Sequence, residues 1–353
     1  MSTVSTEKLP ASARFEDYRG IRTVGVYTDA KVEFAALTSG CGLFDLRWRT
    51  KIVLTGSDRV RWMNGMVTNN VRDLAPGNGV YAFLLNPQGK IQGDLYVHNR
   101  DKYLLVDTDQ EQARKILEIF DHYIIMDDVE VASPSDKLTS VGMAGPKSRA
   151  VLERAGFRID EIAPLRAIDM IWQQIGLTIL RGDNPAVESF ELWLAPEHVG
   201  TVWDSLLQSG ATAVGSQAFE LFRISCGIPR YGIDIRERDL PQETGQARAL
   251  NFSKGCYVGQ EIVERIRSRG AVHRMFTGFT LTGALPALGS KLRAEGKDLG
   301  EVTSVAVLPA NGGEIVVALG YVRREAAATG KLFELETSPA MVAEVPFKEI
   351  FNS

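Results

Sequence analysis

The segment Lys254-Gly-Cys-Tyr-Val-Gly-Gln-Glu261 sets a thiol between an ammonium and a carboxylate on a glycine-flanked stretch. Ile262, Val263 and Ile266 mark the inner face of a short helix that should begin near Gly259. Gly270 suits the left-handed position just past its end. Arg265, Arg267 and Arg269 fall in the last turn, where cations meet the negative end of the helix dipole. Cys256 then lies just upstream of a helix N-terminus, two residues from Lys254. Both neighbours favour a thiolate, so the pattern suits an exposed, reactive sulfur. A small cysteine buried in a tight turn fits the same residues and stays open as the alternative.

The elements that must carry such a segment can be read from hydrophobic periodicity. Lys51–Thr55 is a β-like run, and Gly56-Ser57-Asp58 offers caps for a helix marked by Val60, Met63 and Val67. Gly79–Leu85 and Lys90–His98 read as strands joined by Asn86-Pro87-Gln88-Gly89, where proline fixes φ and glycine accepts positive φ. Tyr103–Val106 is a further strand, and residues 109–125 place Ala113, Ile116, Leu117, Phe120 and Ile124 on one side of a helix. A similar order recurs from Ser140 to Ile224, with helices expected after Pro146, over Pro196–Ser209 and over Ser216–Ile224. After Arg274 short β runs alternate with Gly and Pro turns, the texture of a small barrel or sandwich. The fold class expected is α+β, with a boundary near residues 270–275 and a polar tail over residues 1–14.

Composition narrows the chemistry by exclusion. The chain has 353 residues, 44% of them hydrophobic, and a formal net charge of -4, so no global basic field marks a nucleic-acid binder. Cys41, Cys226 and Cys256 are far apart, with no CxxC pair, so no metal site or disulfide framework is expected. The start has no apolar signal core, and no run of about 18 apolar residues occurs. A cytoplasmic protein in a reducing compartment, without membrane contact, is the expectation. Gly40-Cys-Gly-Leu-Phe-Asp45 begins like a dinucleotide-binding loop but ends in Asp, and no Walker A, nucleophile elbow or HExxH is present.

Lys-Gly-Cys-Tyr-x-Gly-Gln-Glu resembles the signature of the YgfZ-type folate-binding proteins, relatives of the glycine-cleavage T-protein, an aminomethyltransferase. The resemblance runs along nearly the whole chain. Gly42-Leu-Phe-Asp45, Val67-Thr-Asn-Asn-Val71, and Leu84-Leu-Asn-Pro-Gln-Gly89 with Gly93-Asp-Leu95 are similar to segments of the superfamily's first half. Ser189-Phe-Glu-Leu-Trp193, Gly227-Ile-Pro-Arg-Tyr-Gly-Ile-Asp234 with Leu240-Pro-Gln-Glu243, and Ala318-Leu-Gly-Tyr-Val322 continue it. The resemblance implies a three-lobed ring around a folate channel. Residues 1–50 plus 138–272 would form a discontinuous folate-binding α+β lobe, residues 51–137 a second α+β lobe, and residues 273–353 the C-terminal β-barrel.

It also implies tetrahydrofolate, or a C1-substituted derivative, as the ligand. A pterin needs a buried acceptor and a flat surface, and a glutamate tail needs cations. The resemblance of Ser189-Phe-Glu-Leu-Trp193 to the strand that carries a pterin-contacting Glu makes Glu191 the candidate acceptor. Its alternation with Phe190 and Leu192, which turns it away from them, by itself fits an ordinary solvent-facing Glu. Arg223 and Arg230 are candidates for the tail carboxylates. Tyr231 and Tyr81 would supply rings or are simply core tyrosines, Asn69 and Asn70 would line the pocket or merely cap a helix, and Lys254 would join the site. The cluster Arg265, Arg267, Arg269, His273 and Arg274 would meet a polyglutamate tail, RNA or an acidic protein, or is simply a solvated helix end.

Departures from the transferase pattern shape the functional expectation. Cys256 stands where that branch carries Asp. Gly93-Asp94 keeps one acid of a pair, and Arg47-Trp48-Arg49 replaces an SHM segment. Asp94 could still orient or protonate a folate nitrogen. The leading expectation is a monomeric, tetrahydrofolate-binding accessory protein for iron–sulfur enzyme assembly or repair, with iron–sulfur proteins as clients and Cys256 as its working thiol. The alternatives are a true aminomethyl or C1 transferase using Asp94, and a non-catalytic binding module.

Overall fold

The computed structural model describes residues 10, 12–132, 136–270, 272–310, 312–336 and 338–351, without the side chain of Arg269. They fold as two compact units. One comprises the described residues of Met1–Asn64, Asn70–Tyr81 and Leu95–Phe219, the other Gly65–Asn69, Ala82–Asp94 and the described residues of Glu220–Ser353.

The first unit contains a six-stranded sheet in the order Ala167–Trp172, Ile175–Arg181, Ser189–Leu194, Thr139–Ala144, Gly42–Asp45, Thr212–Val214. All pairs are antiparallel except the last, where Thr212–Val214 runs parallel to Gly42–Asp45. The Gly-Leu-Phe-Asp run is buried at every position, so it lacks the alternation that betrays a half-exposed strand. It fits because Gly142, opposite Phe44, has no side chain: a Cβ there would stand 2.1 Å from the Phe44 ring. Behind the sheet, Phe157 stacks on Trp172 at 4.8 Å in a core shared with Trp203 and Leu206.

The helix Ala30–Ser39 is capped by Asp29, whose carboxylate accepts from the backbone N–H of Lys31 and Val32. Its Glu33 is fully buried, and the carboxylate accepts from the N–H groups of Tyr27, Thr28 and Gly215, each at 2.8 Å. Those three bonds join the strand end at residue 27 to the loop at residue 215 and meet the burial cost of a carboxylate.

A five-stranded sheet runs in the order Gly79–Leu85, Ile91–Asn99, Leu104–Asp109, Arg49–Thr55, Glu130–Ala132, with the helix Gln110–Tyr123 burying Ala113, Ile116 and Phe120. The first two strands contribute residues to both units. The tail expected over residues 1–14 is cut short: Arg14–Tyr18 pairs as a hairpin with Ile21–Val26, and residues 1–9 and 11 lie outside the described set. The helix expected from Pro196 opens as a single 3-10 turn, Pro196–His198, before Val199–Gln208.

The second unit holds the small barrel that the turn spacing predicts. Arg274–Leu281, Gly313–Arg323, Lys297–Ala310, Lys291–Ala294, Leu332–Glu334 and Pro339–Ala343 close on one another around Phe279, Val302, Ala318 and Phe333. The same unit carries the helix Gln260–Arg269, bounded by Gly259 at φ 80 and Gly270 at φ 68. Gly259 lies against the turn Asn86–Gly89: a Cβ on it would stand 2.5 Å from the Asn86 carbonyl oxygen. Gly89, at φ 71, meets Ile262 in the same way, with a Cβ falling 2.7 Å from that side chain.

Gly259→Ala therefore adds a backbone clash to a left-handed strain and should cost about 2–4 kcal/mol, read as a lowered urea midpoint. Gly255→Ala, where an added Cβ meets nothing within 4 Å, is the matched control and should leave the midpoint nearly unchanged. Equal midpoints for the two variants would remove the contact from the account of how this helix is placed.

Candidate functional site

In the first unit the chemistry gathers around Glu191. The strands Arg49–Thr55 and Leu104–Asp109 run antiparallel with Lys51 opposite Asp107 and Arg49 opposite Asp109. Opposite charges thus face each other across two rungs on one face of the sheet. Lys51 Nζ stands 2.9 Å from Asp107 and 3.8 Å from Glu191, and it donates to the Ser140 hydroxyl at 3.1 Å. Arg49 donates to Asp107 at 3.1 Å and to Asp109 at 2.8 Å, and Arg19 reaches Asp109 at 2.6 Å.

Lys51 is 2% exposed, so the ion pairs compensate charge that water does not reach. Burial alone would push the Asp107 carboxyl up; Arg49 and Lys51 overcome it and hold it below the usual carboxylate range.

Glu191 is the member of this group that meets solvent, with 23% of its side chain exposed. Trp193, two residues on and therefore on the same face, donates its indole N–H to Glu191 at 2.9 Å. Lys51 lies 5.1 Å from the centre of that indole. The carboxylate is thus held from behind by one hydrogen bond and one ammonium.

Trp193 is the ring in contact with it, and a chain of rings leads on from that indole through His98 and Tyr96 to Tyr81. Tyr81 packs on Tyr96 at 5.0 Å, and His98 meets Trp193 edge-on at 5.0 Å. Tyr96 also donates to Asp183 at 3.1 Å. An oriented acceptor beside a flat indole can recognise a planar heterocycle with a donor-rich edge.

Arg47-Trp48-Arg49, which replaces the SHM segment of the transferase pattern, is engaged within the fold. Arg47 pairs with Asp45, Arg49 belongs to the ladder, and Trp48 is buried edge-on against Tyr18 at 5.1 Å.

In the second unit the remaining candidates form two groups. Tyr231 donates its hydroxyl to the Gln92 carbonyl at 2.7 Å. Burial first, then the charges of Glu237, Asp94 and Asp239, push its phenol well above the usual tyrosine range, so it stays a donor. Asp94 shares a face of its strand with Gln92.

Next along the chain, Arg230 donates its backbone N–H to Asp234 at 3.0 Å. Arg223 is turned inward. It donates to Asp234 at 2.7 Å, Glu220 at 2.5 Å, Ser304 at 2.9 Å and the Ile228 carbonyl at 2.7 Å. Asp234, fully buried, also accepts from the Ser304 hydroxyl at 2.8 Å. Arg223 therefore anchors the loop around Asp234 to the barrel.

The Cys256 segment is stitched to residues 65–69. Lys254 Nζ donates to the carbonyls of Val67 at 2.6 Å and Asn69 at 2.8 Å, and it lies 4.9 Å from the Tyr257 ring centre. Asn69 donates its side-chain amide to the Arg248 carbonyl at 2.8 Å, and Val258 donates its N–H to Gly65 at 3.1 Å. Cys256 itself is exposed, whereas Cys41 and Cys226 are buried. Its loop precedes the first helical residue, Gln260.

Two members of the basic cluster are engaged, and the side chain of Arg269 lies outside the described residues. Arg267 lies over Phe252 and pairs with Glu264, and Arg274 is held by Asp239 and Glu243. Among the described residues no group of three or more His, Cys, Asp or Glu is placed to hold a metal ion.

Lys51, Asp107, Trp193 and Tyr96 were not singled out from sequence. The available signal was a lysine inside an apolar strand run and an Asp-Thr-Asp ending the strand that pairs with it.

A mixed α/β chain ending in a closed six-stranded barrel matches the fold of a solved protein, the glycine cleavage system aminomethyltransferase T of Bartonella henselae. The TM-score is 0.85 at 22% identity, over 96% of this chain and 95% of that one. An aminomethyltransferase of Halothermothrix orenii is 27% identical over 90% of each chain. A putative chloroplastic transferase of Arabidopsis thaliana is 26% identical over 88% of this chain and 72% of its own. The profile of the family described as "GCVT N-terminal domain" matches residues 7–254, and the chain belongs to that family. Among the described residues no helix is long and apolar enough to cross a membrane.

His98 gives this site a pH signature. It is fully buried with neither ring nitrogen hydrogen-bonded among the described residues. Burial, with Lys51, Arg100 and Arg49 adding and Asp107 opposing, pushes its imidazole down to about 3 from an ordinary 6.5. Between those values the unfolded chain takes up a proton that the folded chain refuses. Stability therefore falls as pH falls through that window, by roughly 1.4 kcal/mol per pH unit. Urea unfolding at about pH 6.5 and about pH 5 should show this slope in the wild type and a shallower one in His98→Leu. Identical slopes would mean that His98 is not held neutral by its surroundings.

Proposed function

We propose that this protein binds a tetrahydrofolate derivative and acts on its one-carbon unit, as a transferase of the glycine-cleavage T-protein type. The observation that carries the reading is the Glu191 carboxylate, partly exposed, bonded to the Trp193 indole and held from behind by Lys51. A pterin presents a flat face and a donor-rich edge, which that arrangement complements. The similarity to aminomethyltransferases over nine-tenths of the chain supports the same class of chemistry. In this reading Asp94 serves as the acid or base of the transfer step, Arg230 as a partner for a tail carboxylate and Tyr231 as a ring contact.

A transfer assay with methylene-tetrahydrofolate and an amine acceptor tests it. Wild type should turn over, and Asp94→Asn should lose about two to four orders of magnitude in rate, the usual contribution of a positioned acid or base. No turnover by the wild type with any C1 donor would sink the catalytic reading.

A second reading rests on one observation, the exposed thiol of Cys256 within Lys-Gly-Cys-Tyr-Val-Gly-Gln-Glu. It is the YgfZ-type role, a folate-binding accessory to iron–sulfur enzymes in the cytoplasm. In cells lacking the protein, wild type should restore the activity of an iron–sulfur enzyme and Cys256→Ala should not. Equal rescue by both would remove Cys256 from that role.

A further inference from the structure

A cavity of about 680 Å³ opens on the barrel-bearing unit; of its walls only His273 and Arg274 belong to the basic cluster weighed above for a polyglutamate tail, and Glu191, Asp94, Arg230 and Tyr231 are not among them. Arg238, Arg274, Lys291, Glu301, Tyr321 and Arg323 line it. Its volume suits a small molecule. Its chemistry is set by an uneven distribution of charge.

Glu301 alone receives three cations: Arg236 at 3.1 Å, Lys291 at 3.3 Å, and Arg238 in closer contact. Burial pushes the Glu301 carboxyl up, but Arg236 and Arg238 hold it below its ordinary value, so it stays ionised. One carboxylate offsets one of those charges. Arg274 is matched differently, by Asp239 at 2.5 Å and Glu243 at 3.0 Å. Those four cations thus face three carboxylates. Two other acids at the cavity have cations of their own: Asp298 accepts from Arg293 at 2.7 Å, and Glu325 stands 3.9 Å from Arg323. The wall is left with net positive charge, and Arg238 and Lys291 are each about half exposed.

The second observation is independent of charge. Tyr321 is 2% exposed, and its buried hydroxyl has no hydrogen-bond partner among the described residues. Its ring packs against Phe276, with the Arg274 guanidinium 4.7 Å from its centre. Burial, reinforced by Asp239, pushes the phenol far above the usual range, so it remains an O–H donor. A buried donor without an acceptor is costly, which a ligand oxygen would relieve.

We infer that this cavity binds a multiply charged oxyanion, a small polyphosphate or polycarboxylate, whose oxygens share Arg238 and Lys291 with Glu301 and accept the Tyr321 O–H. Guanidinium and ammonium groups suit both anion types. The full chain is titrated calorimetrically with inorganic tripolyphosphate and, separately, with citrate. At least one should bind saturably, and which one does tells the polyphosphate source from the polycarboxylate.

The double variant Arg238→Ala/Lys291→Ala leaves Glu301 paired with Arg236, so the fold is kept. It should bind the same probe at least about tenfold more weakly, the loss expected for charge-assisted contacts. Tyr321→Phe should weaken binding at an unchanged thermal midpoint; if that midpoint drops, the double variant decides. No binding of either probe by the wild type, or equal affinity in the double variant, would overturn the assignment.

Discussion

The buried ion pair of Lys51 with Asp107 is the constraint on which the first unit's chemistry depends. A charged group inside a protein must meet an opposite charge and fill its hydrogen bonds, or it destabilises the fold. Here the strand register supplies the partner, because Lys51 lies directly across from Asp107 and Arg49 across from Asp109. A slip of one residue would turn every one of these groups to the other face. The same ammonium reaches Glu191 at 3.8 Å and underlies Trp193, so register, charge and indole together fix where the exposed carboxylate points. Glu191 is presented to solvent by residues that are themselves out of solvent.

The second unit reaches a comparable result with backbone rather than charge. Lys254 spends its ammonium on two carbonyls, and Val258 bonds to Gly65, so the Cys256 segment is tied down on both sides of the thiol. Gly89 and Gly259 let the hairpin turn and the helix start approach to a distance that any Cβ would prevent. The exposure of Cys256 follows from a loop held at its ends. Arg223 contributes at a distance in sequence, joining helix, loop and barrel through Asp234 and Ser304.

Local patterns made part of this legible. The helix after Cys256, with glycines at both ends, the Asn-Pro-Gln-Gly turn and the barrel strands each follow from turn chemistry or periodicity confined to a few residues. Glu191 was found by the family resemblance of its strand; its alternation with the buried Phe190 and Leu192 fits an ordinary solvent-facing Glu equally well. What escaped depends on partners far along the chain. Lys51 reads as a surface residue of a strand until Asp107 is placed opposite it. Arg223 reads as a free guanidinium until Asp234 folds back onto it. Glu33 sits in an unremarkable helix, and only the approach of Tyr27, Thr28 and Gly215 explains its burial. Gly42–Asp45 hides because a strand covered on both faces shows no alternation.

Glu191 as the acceptor for a pterin edge is the central claim, and calorimetric titration with tetrahydrofolate tests it most directly. The wild type should bind saturably, and Glu191→Gln, which keeps the shape but alters the acceptor, should bind at least about tenfold more weakly at an unchanged thermal midpoint. Equal affinity in the two proteins, or no binding by the wild type, would contradict the account.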